Sequence, residues 1–152
     1  MKILLATKNR NKFNEISKIL LETGNFHQAV FKDNLIDVAE DGNTILENAK
    51  KKAFEVYEEY KIPVISDDSG LFVETLDGKP GVHSKRYAGE NATDAENNQK
   101  LISEVKASDN VNACFKTILC YFDGLNFIMS EGILNGKIIF KPRGNNGFGY
   151  DP

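Results

Sequence analysis

The stretch Ile62-Pro63-Val64-Ile65-Ser66-Asp67-Asp68-Ser69-Gly70 places two adjacent carboxylates directly after a short apolar run. The apolar run predicts a buried strand, and the polar residues predict that this strand ends at the acidic pair. Adjacent carboxylates suit a hard cation such as Mg²⁺, which prefers oxygen ligands and keeps several waters beside a phosphate substrate. The alternative is a polar strand-to-loop turn that begins at Asp. Other segments of the sequence provide the evidence that distinguishes these two interpretations.

The segments on either side of this stretch alternate between strand and helix patterns. In chain order we expect a strand at residues 2–6, a helix from residue 13 to Gly24, a short strand near 29–31, a helix from Thr44 to the residues before Pro63, a short strand at 71–73, a long loop at 78–89, a helix from Thr93, and strands in the last third. This order indicates an α/β or α+β fold with a mixed sheet. The length of 152 residues suits one domain over residues 1–152.

Four short motifs carry the strongest local signals. Thr44 and Thr93 each stand three residues before a glutamate, the capping-box pattern at the start of a helix. Asp123-Gly124 predicts a hairpin between two strands, and Asn135-Gly136 predicts a further turn. These signals place two helix starts and divide the last third into short strands.

Composition and charge exclude several classes of function. The net charge of −3 argues against binding to a nucleic-acid polymer, which depends on neutralising phosphates. No apolar run approaches the roughly 20 residues of a membrane helix, and the first apolar run is too short for a signal peptide. Cys114 and Cys120 lie on one expected strand, about 20 Å apart, too far for a disulfide. We therefore expect a cytoplasmic protein with free thiols.

The polar segment after the first strand is a candidate phosphate site. It reads Thr7-Lys8-Asn9-Arg10-Asn11-Lys12, with three cations in five residues. A helix N-terminus carries partial positive charge and free N–H groups that bind phosphate oxygens. A solvated basic loop is the alternative. The segment does not have the Walker pattern of a P-loop.

Other candidate residues are ambiguous when taken alone. Glu40 precedes a helix, where carboxylates commonly act as caps, and Lys52 has the pattern of a surface lysine. Phe148 and Tyr150 lie on a glycine-rich segment and are either base-stacking aromatics or core residues. His27 and His83 lack partners at metal-ligand spacing. Together, a phosphate loop, a lysine-bearing helix, an acidic pair and an aromatic segment point to hydrolysis of a nucleoside triphosphate without a covalent intermediate.

The chain resembles the inosine triphosphate pyrophosphatase family along its whole length. The matching motifs, in order, are Thr-x-Asn-x-x-Lys at residues 7–12, Glu-x-Gly-x-Thr-x-x-Glu-Asn-Ala at 40–49, Asp-Asp-Ser-Gly-Leu at 67–71, Pro-Gly-x-x-Ser-x-Arg-Tyr at 80–87 and Gly-Phe-Gly-Tyr-Asp-Pro at 147–152. The resemblance implies an elongated mixed sheet with flanking helices, in two lobes around a central cleft. It also implies a homodimer.

The resemblance implies a reaction and a set of roles. Deaminated purine triphosphates (ITP, dITP and XTP) would be hydrolysed to the monophosphate and pyrophosphate, with Mg²⁺ as cofactor. Glu40 and Asp68 would hold Mg²⁺, while Asp68 would also activate water with Asp67 in support. The implied substrate-binding residues are Thr7, Lys8, Asn9, Arg10, Asn11, Lys12, Lys52 and Ser69 for the triphosphate, and Phe148, Gly149, Tyr150 and Asp151 for the base, with Phe148 stacking on it.

The sequence departs from the family pattern in three places, the first being Lys8, where many members have Gly. Asn145-Asn146 replaces a more common Thr-Gly, and the chain ends at Pro152, before a further lysine and a Ser-His-Arg motif of the family. Two alternatives follow. One is a Maf-like nucleotide pyrophosphatase, whose first motif favours Ser and Arg. The other is a nucleotide-binding remnant whose catalysis is impaired because the closing segment is missing.

Overall fold

The computed structural model describes residues 1–24, 27–144 and 147–152; Asn145 and Asn146, where the sequence departs from the family pattern, lie outside them. The strands are β1 (Lys2–Leu5), β2 (Gln28–Val30), β3 (Val64–Val73), β4 (Asn112–Phe122) and β5 (Phe127–Lys137), and the α-helices are α1 (Arg10–Glu22), α2 (Ile45–Tyr60) and α3 (Asp94–Val105). Among the described residues, no helix combines the length and apolar character needed to cross a membrane.

The strands form one sheet in the order β2-β1-β3-β4-β5. β1 runs parallel to both β2 and β3. β4 and β5 are neighbours separated by four residues, a connection that only antiparallel strands allow. The expected mixed sheet with flanking helices is confirmed, and so is the hairpin at Asp123-Gly124.

The chain divides into two compact units. Unit 1 comprises Met1–Asp68 and Ile118–Glu131, and unit 2 comprises Ser69–Thr117 and Gly132–Pro152. The chain passes from one unit to the other within β3, β4 and β5, so each of these strands contributes residues to both. The single domain over residues 1–152 stays a prediction.

The interior of unit 1 is formed by β1, α2 and the first half of β3. Leu4, Leu5, Ala49, Ala53 and Val56 are completely buried. The three α2 residues recur at spacings of four and three, which puts them on one face of the helix. The apolar pattern read from the sequence therefore places α2 correctly against the sheet.

The acidic pair lies inside a strand and not at its end. β3 is a single ten-residue strand, so the predicted strand end at Asp67-Asp68 and the separate strand at residues 71–73 are both wrong. The strand can continue because its polar side chains have partners. The Ser66 hydroxyl donates to the Ala49 carbonyl at 2.6 Å, and Lys12 pairs with Asp67. Polar residues that are satisfied in this way can remain buried.

Two further boundaries differ from the sequence interpretation. α1 begins at Arg10, because the Asn9 side chain caps the N–H groups of Asn11 and Lys12, so the basic segment is half loop and half first turn. The turn expected at Asn135-Gly136 is absent, since β5 runs through both residues.

The interior of unit 2 lies between β3, α3 and β4. Leu71, Val73, Leu101, Val105 and Ala113 form its buried cluster. Tyr87 and Tyr150 are partly buried and pack against this cluster.

Candidate active site

The acidic pair of β3 is buried in unit 1. Asp67 is 4% exposed and Asp68 is 7% exposed. The Lys12 ammonium forms an ion pair with the Asp67 carboxylate. A buried charge is tolerated only when it is paired. Lys12 therefore compensates Asp67 and ties the first turn of α1 to the middle of β3.

Lys52 brings a second acidic segment to the same place. Its Nζ lies 2.5 Å from a Glu40 carboxylate oxygen and donates to the Asp67 carbonyl at 3.0 Å. The Lys52 side chain is 14% exposed, so it is not the solvated surface lysine that its sequence pattern suggests. One ammonium group thus joins Glu40 to the backbone of the acidic pair.

The three cations of the first segment point to three different carboxylates. Lys8 pairs with Asp37 at 2.5 Å and Arg10 pairs with Asp33 at 2.5 Å, both at exposed positions. Lys12, in contrast, reaches β3. Of these three residues, the structure therefore brings Lys12 to the acidic pair.

The polar residues of this segment shape the loop itself. The Thr7 hydroxyl accepts the Asn9 N–H at 3.1 Å, and the Asn9 side chain accepts the N–H groups of Asn11 and Lys12 at 2.9 and 3.3 Å. The cap thus already occupies two of the N–H groups at the start of α1. A phosphate bound at this place would therefore depend mainly on side-chain cations.

The acidic side chains determine how well this arrangement fits a metal ion. No cluster of three or more His, Cys, Asp or Glu side chains suited to a metal occurs within residues 1–24, 27–144 and 147–152. Mg²⁺, however, is commonly bound by one or two carboxylates together with substrate phosphates and water. The hard oxygen donors of Glu40 and Asp68 fit such a shared ion, although they do not form a complete protein cage.

Unit 2 carries the remaining candidate residues. The Ser69 hydroxyl accepts a hydrogen bond from Thr117 at 2.9 Å. The Gly149 N–H donates to Asp94 at 3.0 Å, and the Asn98 amide donates to the Gly149 carbonyl at 2.9 Å. Two side chains one helical turn apart on α3 therefore hold the backbone of the aromatic segment.

The two aromatic residues of this segment have different environments. The Tyr150 hydroxyl donates to the Ser84 carbonyl at 2.7 Å, and burial raises the pKa of this phenol. Phe148 is half-buried, and its N–H donates to the Asp151 carboxylate at 2.9 Å. Tyr150 thus fits the core interpretation, whereas the base-stacking interpretation of Phe148 stays a prediction.

Sequence reasoning missed three positioning residues. Asp94 and Asn98 hold Gly149. The buried Asn48 accepts the N–H of Gly42, two residues after Glu40, at 2.8 Å. A polar residue in the first turns of a helix is usually solvent-exposed, so only the repeated Thr-x-x-Glu-Asn sequence could have drawn attention to Asn48.

Comparisons with known proteins agree with the proposed resemblance. The family model described as "Ham1 family" matches residues 3–152. The dITP/XTP pyrophosphatase of Thermoanaerobacter pseudethanolicus is 43% identical over all of this chain and 78% of its own length. That of Geobacter sulfurreducens is 45% identical over 99% of this chain and 78% of its own length.

Solved structures show the same architecture. A HAM1 protein from Coxiella burnetii superposes with a TM-score of 0.90 at 34% identity, over all of this chain and 80% of that one. The Ham1 protein of Staphylococcus aureus superposes with a TM-score of 0.86 at 33% identity, over all of this chain and 79% of that one.

Proposed function

The chain belongs to the Ham1 family, and on that premise we propose that it hydrolyses deaminated purine nucleoside triphosphates (ITP, dITP and XTP) to the monophosphate and pyrophosphate. The observation that carries this proposal is the contact of Lys52 with both Glu40 and the backbone of Asp67. It supports a site in which acidic residues from two segments face cations. The similarity to dITP/XTP pyrophosphatases over at least 99% of this chain favours this reaction over that of a Maf-like enzyme.

The triphosphate is assigned to the cations of unit 1. Lys12 and Lys52 are each paired with a carboxylate or a carbonyl of the acidic site. Each ammonium group has three N–H donors, so it can also donate to triphosphate oxygens while it keeps its carboxylate partner. Thr7, Lys8, Asn9, Arg10, Asn11 and Ser69 keep their proposed places as further phosphate-binding residues.

Mg²⁺ is the proposed cofactor, with Glu40 and Asp68 as its protein ligands. When bound, Mg²⁺ supplies neutralisation of the charge on the phosphate oxygens. Both carboxylates are hard oxygen donors, and that of Glu40 lies against Lys52. Membership of the Ham1 family supports a metal-dependent nucleotide pyrophosphatase.

Asp68 is the proposed general base. It would accept a proton from the water whose oxygen attacks the α-phosphorus, while the bond from that phosphorus to the bridging oxygen breaks and pyrophosphate leaves. The Asp67 carboxylate is already held by Lys12. Asp67 is therefore better suited to support the site than to move a proton.

Residues 148–151 are the proposed base-binding segment. A half-buried Phe148 has a ring face to offer a purine, and such stacking contributes about 1–3 kcal/mol per base. Asp94 and Asn98 hold the Gly149 backbone on either side of its Cα, which limits the freedom of this segment before a base arrives.

The direct test measures pyrophosphate release from ITP, dITP and XTP and, in separate assays, from ATP, GTP, dTTP and UTP. We expect the deaminated purines to be preferred and Asp68→Asn to lower turnover by about 100-fold or more, since it removes the proton acceptor. Asp109→Asn, the same change at an exposed position of unit 2, is the matched control.

Three outcomes would separate the alternatives. Unchanged turnover in Asp68→Asn would remove Asp68 from its role. A preference for dTTP or UTP would indicate the Maf-like reaction, and ITP binding without pyrophosphate release would indicate a catalytically impaired remnant. We further propose a homodimer, tested by sedimentation, and a cytoplasmic location, tested by cell fractionation.

A further inference from the structure

Residues 40–43, which we call the acidic loop, lie against one face of α2, and each of them contacts a different residue of that helix. The helix residues are at positions 47, 48, 51 and 52, which lie on one side of a helix. The pairs are Glu47 with the Asn43 N–H at 2.7 Å, Asn48 with the Gly42 N–H at 2.8 Å, Lys51 with Asp41 at 2.6 Å, and Lys52 with Glu40 at 2.5 Å. The loop therefore lies along this helix face, and its position depends on these four contacts.

The four contacts differ in burial and therefore in strength. The Asp41 side chain is 69% exposed, and exposed ion pairs stabilise a protein only weakly. Asn48 is 1% exposed and neutral. A hydrogen bond at a buried position is costly to break because the loop N–H then loses its partner. Among the contacts that hold residues 41–43, that of Asn48 is therefore the most costly to lose.

The loop backbone lies directly against the Asn48 amide. A Cβ atom added to Gly42 would stand 2.6 Å from Asn48 Oδ1 and 2.9 Å from Glu47 Cβ, closer than side chains tolerate. Gly42 is thus required for the close approach and not for an unusual backbone angle. The side chain at 48 and the absence of one at 42 together set the distance between loop and helix.

We propose that Asn48 is a positioning residue that holds Glu40 at the metal and triphosphate site by anchoring the Gly42 N–H. Glu40 lies two residues before Gly42, in a segment without regular secondary structure. Its carboxylate can reach Lys52 and a shared ion only while the loop stays on α2. This inference rests on the proposed role of Glu40 as a metal ligand.

The orientation of the amide supports this assignment. Because Oδ1 must be the acceptor of the Gly42 N–H, Nδ2 is the other end of the side chain. No atom in the described part of the chain accepts a hydrogen bond from this buried Nδ2. The residue therefore keeps a buried polar group for the sake of a single contact, where an apolar residue would pack without that cost.

The test uses Asn48→Leu, which keeps the size of the side chain and removes the acceptor, and Gly42→Ala, which keeps Asn48 and pushes the loop away. The half-saturating Mg²⁺ concentration is measured from the rise in unfolding temperature, without nucleotide. Since loss of an outer-shell partner typically lowers metal affinity by 10–100-fold, we expect this concentration to rise about tenfold in both variants. Amide exchange at residue 42 should also accelerate.

Asn97→Leu is the matched control. Asn97 is equally buried on α3 and anchors the Ala88 N–H of unit 2 at 2.7 Å, so its loss should destabilise the protein without changing the Mg²⁺ midpoint. High Mg²⁺ should restore turnover in Asn48→Leu, because the defect lies in ion binding.

Two results are distinguishable. If wild-type protein responds to Mg²⁺ and both variants keep its midpoint, the positioning role is overturned while the proposed function stands. If wild-type protein shows no response to Mg²⁺, either alone or with a non-hydrolysable ITP analogue present, the metal part of the proposed function fails and this inference fails with it. Should Asn48→Leu not fold, Gly42→Ala alone decides.

Discussion

The same five-residue pattern, Thr-x-x-Glu-Asn, begins one helix in each unit. We call residues 44–48 the unit 1 pentad and residues 93–97 the unit 2 pentad. In both, the threonine side chain accepts the glutamate N–H, at 3.1 Å in unit 1 and 3.3 Å in unit 2. In both, the asparagine is buried and its Oδ1 accepts a loop N–H. The local sequence thus produces the same helix start twice.

The remaining contacts of the two pentads differ. Glu96 accepts the Thr93 N–H at 2.7 Å and closes the capping box, whereas Glu47 reaches past Thr44 to the Asn43 N–H. Asn97 also donates to the Lys85 carbonyl at 3.0 Å, while Asn48 makes the single contact to Gly42 described above. The unit 2 pentad therefore satisfies its own helix start and two loop backbone groups. The unit 1 pentad instead directs its glutamate and asparagine to the acidic loop.

The largest effect that separates the pentads is on stability. Asn97→Leu removes two hydrogen bonds and leaves two backbone groups without a partner, so we expect a loss of about 2 kcal/mol in the free energy of unfolding. Asn48→Leu removes one hydrogen bond and one unsatisfied donor, so we expect a loss of about 1 kcal/mol. Urea denaturation measures both, and an equal or reversed order would show that the pentads do not differ in this way.

A smaller effect concerns the dependence of stability on pH. The hydrogen bond from the Thr93 N–H lowers the pKa of Glu96 below its ordinary value of 4.5. A carboxylate with a lowered folded-state pKa stabilises the protein above the unfolded-state pKa, and this contribution is lost as the pH falls through the folded-state value. We therefore expect Glu96→Gln to flatten the decline in unfolding temperature below pH 4.5. A parallel decline in wild-type protein and variant would contradict the capping role.

Periodicity and capping signals in the sequence were sufficient for most of the fold. β1, α2, α3 and the hairpin at residues 123–124 follow from patterns that act over a few residues. The predicted end of β3 was wrong because Ser66 and Asp67 are polar residues that usually end a strand. Their distant partners, Ala49 and Lys12, which allow them to stay buried, cannot be recognised from the local sequence. The turn at Asn135-Gly136 was wrong because a two-residue signal does not reveal that neighbouring residues continue a strand.

The candidate site was predictable in its chemistry more than in its geometry. The acidic pair and the cations could be identified by residue type and by family resemblance. Which cation meets which carboxylate could not, since Lys8 and Arg10 pair with residues of the 33–37 segment while Lys12 crosses to β3. Asn48 was missed because its role depends on burial and on the close approach of Gly42, neither of which a sequence pattern reports.

The central claim is that Glu40 and Asp68 hold one divalent ion together. Binding of Mn²⁺, as a probe for Mg²⁺, is measured by electron paramagnetic resonance for wild-type protein, Glu40→Gln, Asp68→Asn and the double variant. We expect each single change to weaken binding and the double change to cost less than their sum, with a coupling energy of at least about 0.5 kcal/mol. Strictly additive losses, or unchanged affinity in either single variant, would contradict a shared ion.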